Sequence, residues 1–149
     1  MKKKLYVWSK LVRAGIRYWR IVAGHPKRKD ERIEPKSIIL GDWLRNDYVS
    51  IGWEDPKQVS RRRFDEMKIG DKVVAVTDKH IWAIGEIAGD VYEKGDKELY
   101  SYRRDVVWYK ITRLGYDIFP VSVKNKIRNP HTVMELEKNE WDTILAYLG

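Results

Sequence analysis

Residue types that usually carry catalysis are sparse in this chain. It has no Cys and three His, which are His25, His80 and His131. The three lie far apart, and none has the spacing of a metal site or a catalytic triad. A GxxxxGK(S/T) phosphate-binding loop is absent, and most Asp and Glu stand beside Lys or Arg, as on a solvated surface. We therefore expect a binding protein that uses no metal and no cofactor.

Aromatic and basic residues could do a different kind of chemistry. Seven Trp and nine Tyr stand among thirty Lys and Arg, and the net charge is +8. Basic side chains bind phosphates, and aromatic rings stack on bases. This composition favours an anionic partner such as a nucleic acid. A thermophilic protein with a charge-rich surface would have a similar composition, so this alternative stays open.

The basic residues form three clusters. They are Lys27-Arg28-Lys29, Arg61-Arg62-Arg63, and the pair Lys124 and Lys126 with Arg128. We place the second cluster on a short helix and the other two in loops. A helix turns by about 100° per residue, so the three arginines cannot share one face. At least one of them is expected to pair with Asp65 or Glu66, and any one cluster can be ordinary surface.

The tryptophans divide into two groups. Trp19, Trp43 and Trp141 lie in apolar periodic segments and are expected in the core. Trp53 differs, because it follows Gly52 at the end of a predicted strand, and side chains at such ends often contact ligands. Trp82 lies on a mostly apolar strand. The segment 100–104, with Tyr100, Tyr102, Arg103 and Arg104, combines stacking surfaces with phosphate-binding side chains.

Periodicity predicts an α+β protein made of one domain, residues 1–149. Residues 1–16 form a basic helix or arm. Glycines at 85 and 89 indicate bulges or close backbone approach. The predicted strands cover 18–23, 48–53, 72–77, 80–87, 105–112, 116–119 and 132–136, and the predicted helices cover 37–44, 61–67 with Ser60 as the cap, and 137–148. No apolar run approaches the roughly 20 residues of a membrane span, and we expect a cytoplasmic protein without a signal peptide.

The order of these segments resembles a known family. The similarity runs from about residue 17 to the end and is carried by YWRI at 18–21, YVSIGW at 48–53, IGDKVV at 69–74, WAIGEI at 82–87 and YRRDVVW at 102–108. Together they resemble the EVE domain, a member of the PUA-like group that includes the YTH domains. EVE domains of this kind resemble the N-terminal modules of archaeal McrB-type restriction proteins. The resemblance implies a curled β-barrel of about six strands with surrounding helices.

The resemblance also implies a pocket for a flipped, modified base. Trp53 matches the first wall of the aromatic cage, and Tyr100 or Tyr102 is expected to form the second. Ala23-Gly24-His25 stands where YTH domains carry polar groups that read adenine, so the identity of the base stays open. The expected pocket comprises Trp53, Tyr100, Tyr102, Trp82, Ser50, Gly24 and His25. The expected contacts to the nucleic-acid backbone are Lys27, Arg28, Lys29, Arg61, Arg62, Arg63, Arg103, Arg104, Lys124, Lys126, Arg128 and Asn129.

These expectations lead to one principal function and two alternatives. The principal one is recognition of methylated DNA, with N6-methyladenine as the best candidate base and a methylated cytosine as another. The chain would then be the specificity module of a McrBC-type restriction system, with a C-terminal GTPase motor domain and a separate nuclease subunit as partners. The alternatives are a stand-alone RNA-binding protein and a small enzyme that acts on modified nucleotides.

Overall fold

The computed structural model describes residues 15–24, 35–52, 55–94 and 102–148, without the side chains of residues 35–38. These ranges contain seven strands, four α-helices and a short 3-10 helix. The strands are β1 (Tyr18–Val22), β2 (Tyr48–Ile51), β3 (Lys72–Val76), β4 (His80–Ile87), β5 (Tyr92–Glu93), β6 (Tyr102–Gly115) and β7 (Val133–Leu136). The α-helices are α1 (Pro35–Asn46), α2 (Val59–Glu66), α3 (Val121–Ile127) and α4 (Lys138–Leu148), and the 3-10 helix is Tyr116–Ile118.

The strands form one sheet in the order β2-β6-β4-β3-β1-β7, with β5 paired to the start of β6. The β1–β3 pair is parallel, and the other strand pairs are antiparallel. The β4–β6 ladder shifts register twice, which is typical of bulges that curl a sheet. The predicted α+β class and curled sheet are confirmed.

Apolar side chains pack on both faces of this sheet. One core contains Trp19, Val49 and Val73, and α1 and α2 cover it with Trp43 and Phe64. The second core lies on the opposite face, where Trp141 and Ile144 of α4 and Val123 and Ile127 of α3 cover Val74 and Ile81. The predicted core positions of Trp19, Trp43 and Trp141 are confirmed, with 0%, 0% and 5% of their surfaces exposed.

Several local predictions are wrong for identifiable reasons. Gln58, not Ser60, caps α2, because its side-chain oxygen accepts from the Arg61 N–H at 3.0 Å. Residues 116–118 form a 3-10 helix instead of a strand, since Tyr116 turns inward and its hydroxyl donates to the carbonyl of Thr77. The basic segment predicted as a loop is mostly α3, whose Val123 and Ile127 are buried.

Smaller differences concern the ends of β6 and the loop before it. The strand runs from Tyr102 to Gly115, which is longer at both ends than the predicted 105–112. The predicted loop 89–99 contains β5, since Tyr92 and Glu93 pair with Arg103 and Tyr102. Residues 1–14 of the predicted N-terminal helix or arm lie outside the described residues.

Gly85 marks the closest approach between β4 and β6. A Cβ atom there would lie 2.2 Å from the carbonyl oxygen of Val107 and 3.0 Å from Cα of Trp108. The predicted close approach is confirmed at Gly85. At Gly89 a Cβ atom would meet Cβ of Asp105 at 3.5 Å, which is ordinary contact. The two glycines, predicted to be alike, therefore differ in what they tolerate.

We expect Gly85→Ala to destabilise the protein by about 3 kcal/mol, the upper part of the range for overpacking, because the obstacle is backbone that cannot rotate away. The measurement is urea denaturation followed by tryptophan fluorescence. Gly89→Ala is the control and should change the free energy of unfolding by less than about 1 kcal/mol. Equal stability of the two variants would contradict the close approach.

Candidate nucleic-acid interface

Helix α2 connects the edge strand β7 to the start of β6 through side-chain hydrogen bonds. On one side, Ser60 Oγ accepts from the Val133 N–H of β7 at 3.1 Å, and Arg63 Nη1 donates to the Val133 carbonyl at 2.8 Å. On the other side, Arg104 of β6 donates to the carbonyls of Phe64 at 2.9 Å and Asp65 at 3.0 Å. The helix thus links β7 to β6, which no strand pairing joins in the described structure.

The first turn of α2 brings the ends of β1 and β2 to one place. Val133, which Ser60 holds, pairs with Ile21 near the end of β1. Arg61, the next residue along, lies over the ring of Tyr102, and Tyr102 pairs with Ile51, the last residue of β2. We call this opening the mouth and define it by Gly24, Gly52, Tyr102 and the turn Ser60–Arg61.

Three described segments end at the mouth, after Gly24, after Gly52 and before Tyr102. The residues predicted for the two cage walls and the base edge lie directly beyond these ends in sequence. Trp53, Tyr100 and His25 themselves lie outside the described residues, as do Lys27, Arg28 and Lys29. Their place in a pocket therefore stays a prediction, which the convergence of the flanking residues supports.

Tyr102 is held by a stacked guanidinium. The Cζ atom of Arg61 lies 3.9 Å from the centre of the Tyr102 ring, and Arg61 Nε pairs with Asp65 at 3.1 Å. Burial alone would lower the pKa of Arg61, but hydrogen bonds with Asp65 and Tyr102 outweigh burial and raise it. The predicted pairing of one arginine of this cluster with Asp65 or Glu66 is confirmed. One ring face of Tyr102 is occupied, so a base could stack only on the other.

Ser50 and Trp82 make contacts within the protein. Ser50 is 3% exposed, and its hydroxyl accepts from the indole N–H of Trp43 at 2.8 Å. The indole N–H of Trp82 donates to Thr77 Oγ1 at 2.7 Å, and its ring lies near Arg113. These bonds tie both side chains to the fold, and their place in a pocket stays a prediction.

Gly24 and the α3–β7 connection line a cavity of about 320 Å³. Gly24 has a φ of 127°, a backbone conformation that side chains rarely adopt. Arg128 is exposed at the rim, and Asn129 Oδ1 accepts from the His131 N–H at 2.9 Å, which shapes the loop. The remaining lining residues are Val22, Thr77, Asp78, Tyr116, Ile127, Pro130 and Thr132. Two residues predicted as backbone contacts, Arg128 and Asn129, thus share this cavity with the predicted pocket residue Gly24.

The other predicted phosphate contacts have different surroundings. Arg62 is exposed on α2, and Arg103 lies 4.3 Å from the centre of the Tyr48 ring. Lys124 pairs with Asp117 at 2.8 Å and Lys126 with Glu140 at 3.6 Å, so both are partly neutralised. These four remain accessible for electrostatic contact with a polyanion.

Arg104 is engaged inside the protein instead, and the half-buried Arg63 bonds to β7. Arg104 is 3% exposed and donates to the carbonyls of Phe64, Asp65 and Gly89, and burial lowers its pKa. Arg63 donates to the Val133 carbonyl and Met134 Sδ. The assignment of Arg104 as a phosphate contact is corrected, because its side chain is buried and holds α2 in place, whereas that of Arg63 stays a prediction.

Arg20 is the buried charge that sequence reasoning missed. It lies on β1 with 0% of its surface exposed, and its Nη2 donates to the carbonyl of His131 at 2.7 Å. The only sequence signal was a charge within the otherwise apolar run 18–23, which the alternation of a strand would ordinarily place outside.

No metal-binding group of His, Cys, Asp and Glu occurs among the described residues. No described helix is long and apolar enough to cross a membrane.

Comparison with sequence families gives one match. The sequence model of the family described as "Domain of unknown function (DUF8426)" matches residues 57–137, more than half of the chain. The chain belongs to this family. The matched DUF8426 region begins just before α2 and ends after β7, so it contains the turn Ser60–Arg61, Tyr102 and the Arg128–Thr132 loop. A comparison with curated protein sequences gives no match.

Solved structures with a similar fold include YTH domains. The DUF8426 chain is similar to the Pho92 YTH domain in complex with m6A, with a TM-score of 0.59 and 12% identity over 89% of this chain and 82% of the other. It is similar to the YTH domain of Zygosaccharomyces rouxii MRB1 in complex with N6-methyladenosine RNA, with a TM-score of 0.56 and 13% identity over 89% and 86%. It is also similar to the mmi1 YTH domain in its RNA complex, with a TM-score of 0.57 and 12% identity over 88% and 80%. The predicted PUA-like, YTH-like fold is confirmed.

Proposed function

We propose that this chain binds RNA that carries a methylated base, with N6-methyladenosine as the leading candidate. The observation that carries the proposal is the mouth, where the chain segments before and after the predicted cage residues converge on Tyr102 and Arg61. The similar YTH domains are described as complexes with m6A or with RNA, and this favours RNA over the DNA expected from the sequence.

The proposed mechanism is binding without chemistry. A base leaves its stack, enters the mouth and stacks on Trp53, with Tyr100 or the second face of Tyr102 as the other wall. Stacking contributes about 1–3 kcal/mol per base, and burying the methyl group adds about 0.8 kcal/mol. Single-stranded RNA offers bases that need no unpairing, so the cost of extraction is small. Phosphate contacts of Arg62, Arg103 and Arg128 supply affinity that carries no base information.

The restriction-system context stays a prediction from the sequence resemblance. The similar structures reported above name neither DNA nor a GTPase or nuclease. Methylated DNA is therefore the second ligand to test, and the GTPase motor and nuclease subunit remain predicted partners. An enzyme that acts on modified nucleotides is the remaining alternative. The sequence argues against it, because it has no recognisable pattern of a nucleophile paired with a general base.

The test is a fluorescence titration of the whole chain with four short single strands of one sequence. They are RNA with adenine, RNA with N6-methyladenine, and the two corresponding DNAs. We expect methylated RNA to bind about fourfold more tightly than unmethylated RNA, which corresponds to the about 0.8 kcal/mol from burying the methyl group. Mass spectrometry of the recovered strands should show no change in mass.

Each other outcome decides against part of the proposal. Equal binding of the methylated and unmethylated strands in both RNA and DNA would end modified-base recognition. A methyl preference confined to DNA would restore the DNA reading and overturn the RNA assignment. A demethylated, deaminated or cleaved strand would show that the chain is an enzyme.

A further inference from the structure

The buried arginine on β1 is an uncompensated charge. Nε and Nη1 of Arg20 have no hydrogen-bond acceptor, and within the described residues Nη2 donates to the carbonyl of His131. Within the described residues, the groups that act electrostatically on Arg20 are Tyr116 and Arg63, and neither is a carboxylate. A buried charge without a counter-ion is costly, so a fold that retains one normally uses it.

The cavity beside Gly24 lies next to this charge, because Val22, two residues after Arg20 on β1, is part of the cavity wall. Arg20 and Val22 point to the same face of β1, about 7 Å apart, because side chains alternate along a strand. Val22 lines the cavity, and so do Tyr116, which interacts with Arg20, and Pro130 and Thr132, which flank the His131 carbonyl that Arg20 holds. Arg20 therefore lies beneath the wall of the cavity and also fixes the loop that forms its rim.

The charges around this cavity favour an anion. Asp78 contributes one negative charge to the lining, whereas Arg128 at the rim and Arg20 behind the wall contribute two positive ones. Burial lowers the pKa of Arg20 only to about 10, so the guanidinium stays charged near neutral pH. The volume of about 320 Å³ equals that of about ten water molecules, which is room for a phosphate and part of its sugar.

We propose that this cavity is a phosphate subsite of the nucleic-acid interface and that Arg20 is its positioning residue. Arg128 would contact a phosphate of the bound strand, while Arg20 supplies the buried charge that draws the phosphate in and the hydrogen bond that orients residues 128–132. The inference rests on the proposed function for its ligand, a nucleic-acid phosphate. It requires no modified base, so the subsite should bind unmethylated strands equally well.

The first experiment measures the melting temperature of the whole chain with and without inorganic phosphate. We expect phosphate to raise the melting temperature of the natural chain and to have no effect on Arg20→Met. In phosphate-free buffer Arg20→Met should be at least as stable as the natural chain, because an uncompensated charge has been removed. Arg17→Met, at the opposite end of β1, loses the same charge and should keep the response to phosphate.

A second variant keeps the proposal testable if Arg20→Met does not fold. Arg20→Lys retains a charge but loses the forked donors, and we expect a smaller phosphate-induced shift than in the natural chain. An unchanged shift in Arg20→Lys, or an equal shift or no shift in both the natural chain and Arg20→Met, would overturn the proposal.

The second experiment identifies the source of the phosphate. Unmethylated single strands with a 5′-phosphate or a 5′-hydroxyl are titrated at several salt concentrations. Arg20→Met and Arg128→Ala should each weaken binding about tenfold and reduce the slope of log K against log salt by about 0.7, the value for one phosphate of a single strand. A loss seen only with the 5′-phosphorylated strand assigns a terminal phosphate, and an equal loss with both strands assigns an internal phosphodiester. An unchanged slope in Arg20→Met would refute the subsite.

The subsite and the base pocket can fail independently. Trp53→Ala should abolish the methyl preference and leave the phosphate-induced stabilisation intact. If the methyl preference is absent from the natural chain but phosphate still stabilises it through Arg20, the proposed function fails and the subsite stands. If methylated strands are preferred but phosphate has no effect on the natural chain, the phosphate subsite fails and the proposed function stands.

Discussion

Trp53→Ala is expected to abolish the preference for methylated over unmethylated RNA. The Trp53 ring is proposed to form a wall of the pocket. Its removal would then take away about 1–3 kcal/mol of base stacking, together with the surface that buries the methyl group. The melting temperature should stay within about 2 °C of that of the natural chain, because a pocket side chain supports little of the core. Titration with the matched RNA pair and a thermal melt of the same sample measure both effects.

The control for Trp53→Ala is the same substitution in the core. Trp43 is fully buried, and its indole bonds to Ser50, so Trp43→Ala should cost about 3–5 kcal/mol of stability. Two results contradict the proposed role of Trp53. One is a loss of stability as large as that of Trp43→Ala, and the other is a folded Trp53→Ala protein that still distinguishes methylated RNA.

Arg104→Ala is expected to cause the largest loss of stability of any basic substitution in the described structure. The change removes three hydrogen bonds, at 2.9, 3.0 and 3.0 Å, to carbonyls of Phe64, Gly89 and Asp65. Two of these carbonyls lie in the last turn of α2, where that of Phe64 accepts also from the Met67 N–H at 3.4 Å. We expect a loss of about 3 kcal/mol or more, which urea denaturation would measure.

Arg103 is the matched control because it is the next residue on the same strand. It lies over the Tyr48 ring and stays partly accessible. Arg103→Ala should cost at most about 1 kcal/mol of stability, the usual contribution of an accessible cation–π contact, and should weaken binding to methylated and unmethylated RNA equally. If Arg103→Ala destabilises the protein more than Arg104→Ala, the division of these two arginines between binding and folding is wrong.

Much of the fold could be predicted from the chain alone. The alternation of apolar residues located β1, β2, β3, β4 and β7, and the amphipathic pattern located α1 and α4. Local chemistry identified the core tryptophans and the close approach at Gly85. The order of the segments predicted the YTH-like fold, although the similar structures share only 12% or 13% identity with this chain. These predictions are possible because residues that are close in sequence determine the periodicity of each segment, and the order of the segments can be read directly from the chain.

The site was predictable in residue type but not in residue role. Arg61, Arg63, Arg103 and Arg104 look alike in sequence, and their roles differ because of where α2 lies across the sheet. That position depends on contacts between residues that are distant in sequence. Arg104 and Phe64 are 40 positions apart, and Arg63 and Val133 are 70 positions apart. Sequence proximity carries no information on such contacts.

The sequence by itself predicted the class of partner, since thirty basic residues and sixteen Trp and Tyr in a chain without Cys favour a polyanion with planar groups. Only the tertiary structure decided which charges face that partner and which are buried. Arg20 is the clearest case. A strand's alternation places every second residue on one face, but whether that face meets solvent or a second layer depends on α3 and α4 packing there, and this burial left the charge of Arg20 beside a cavity instead of in water.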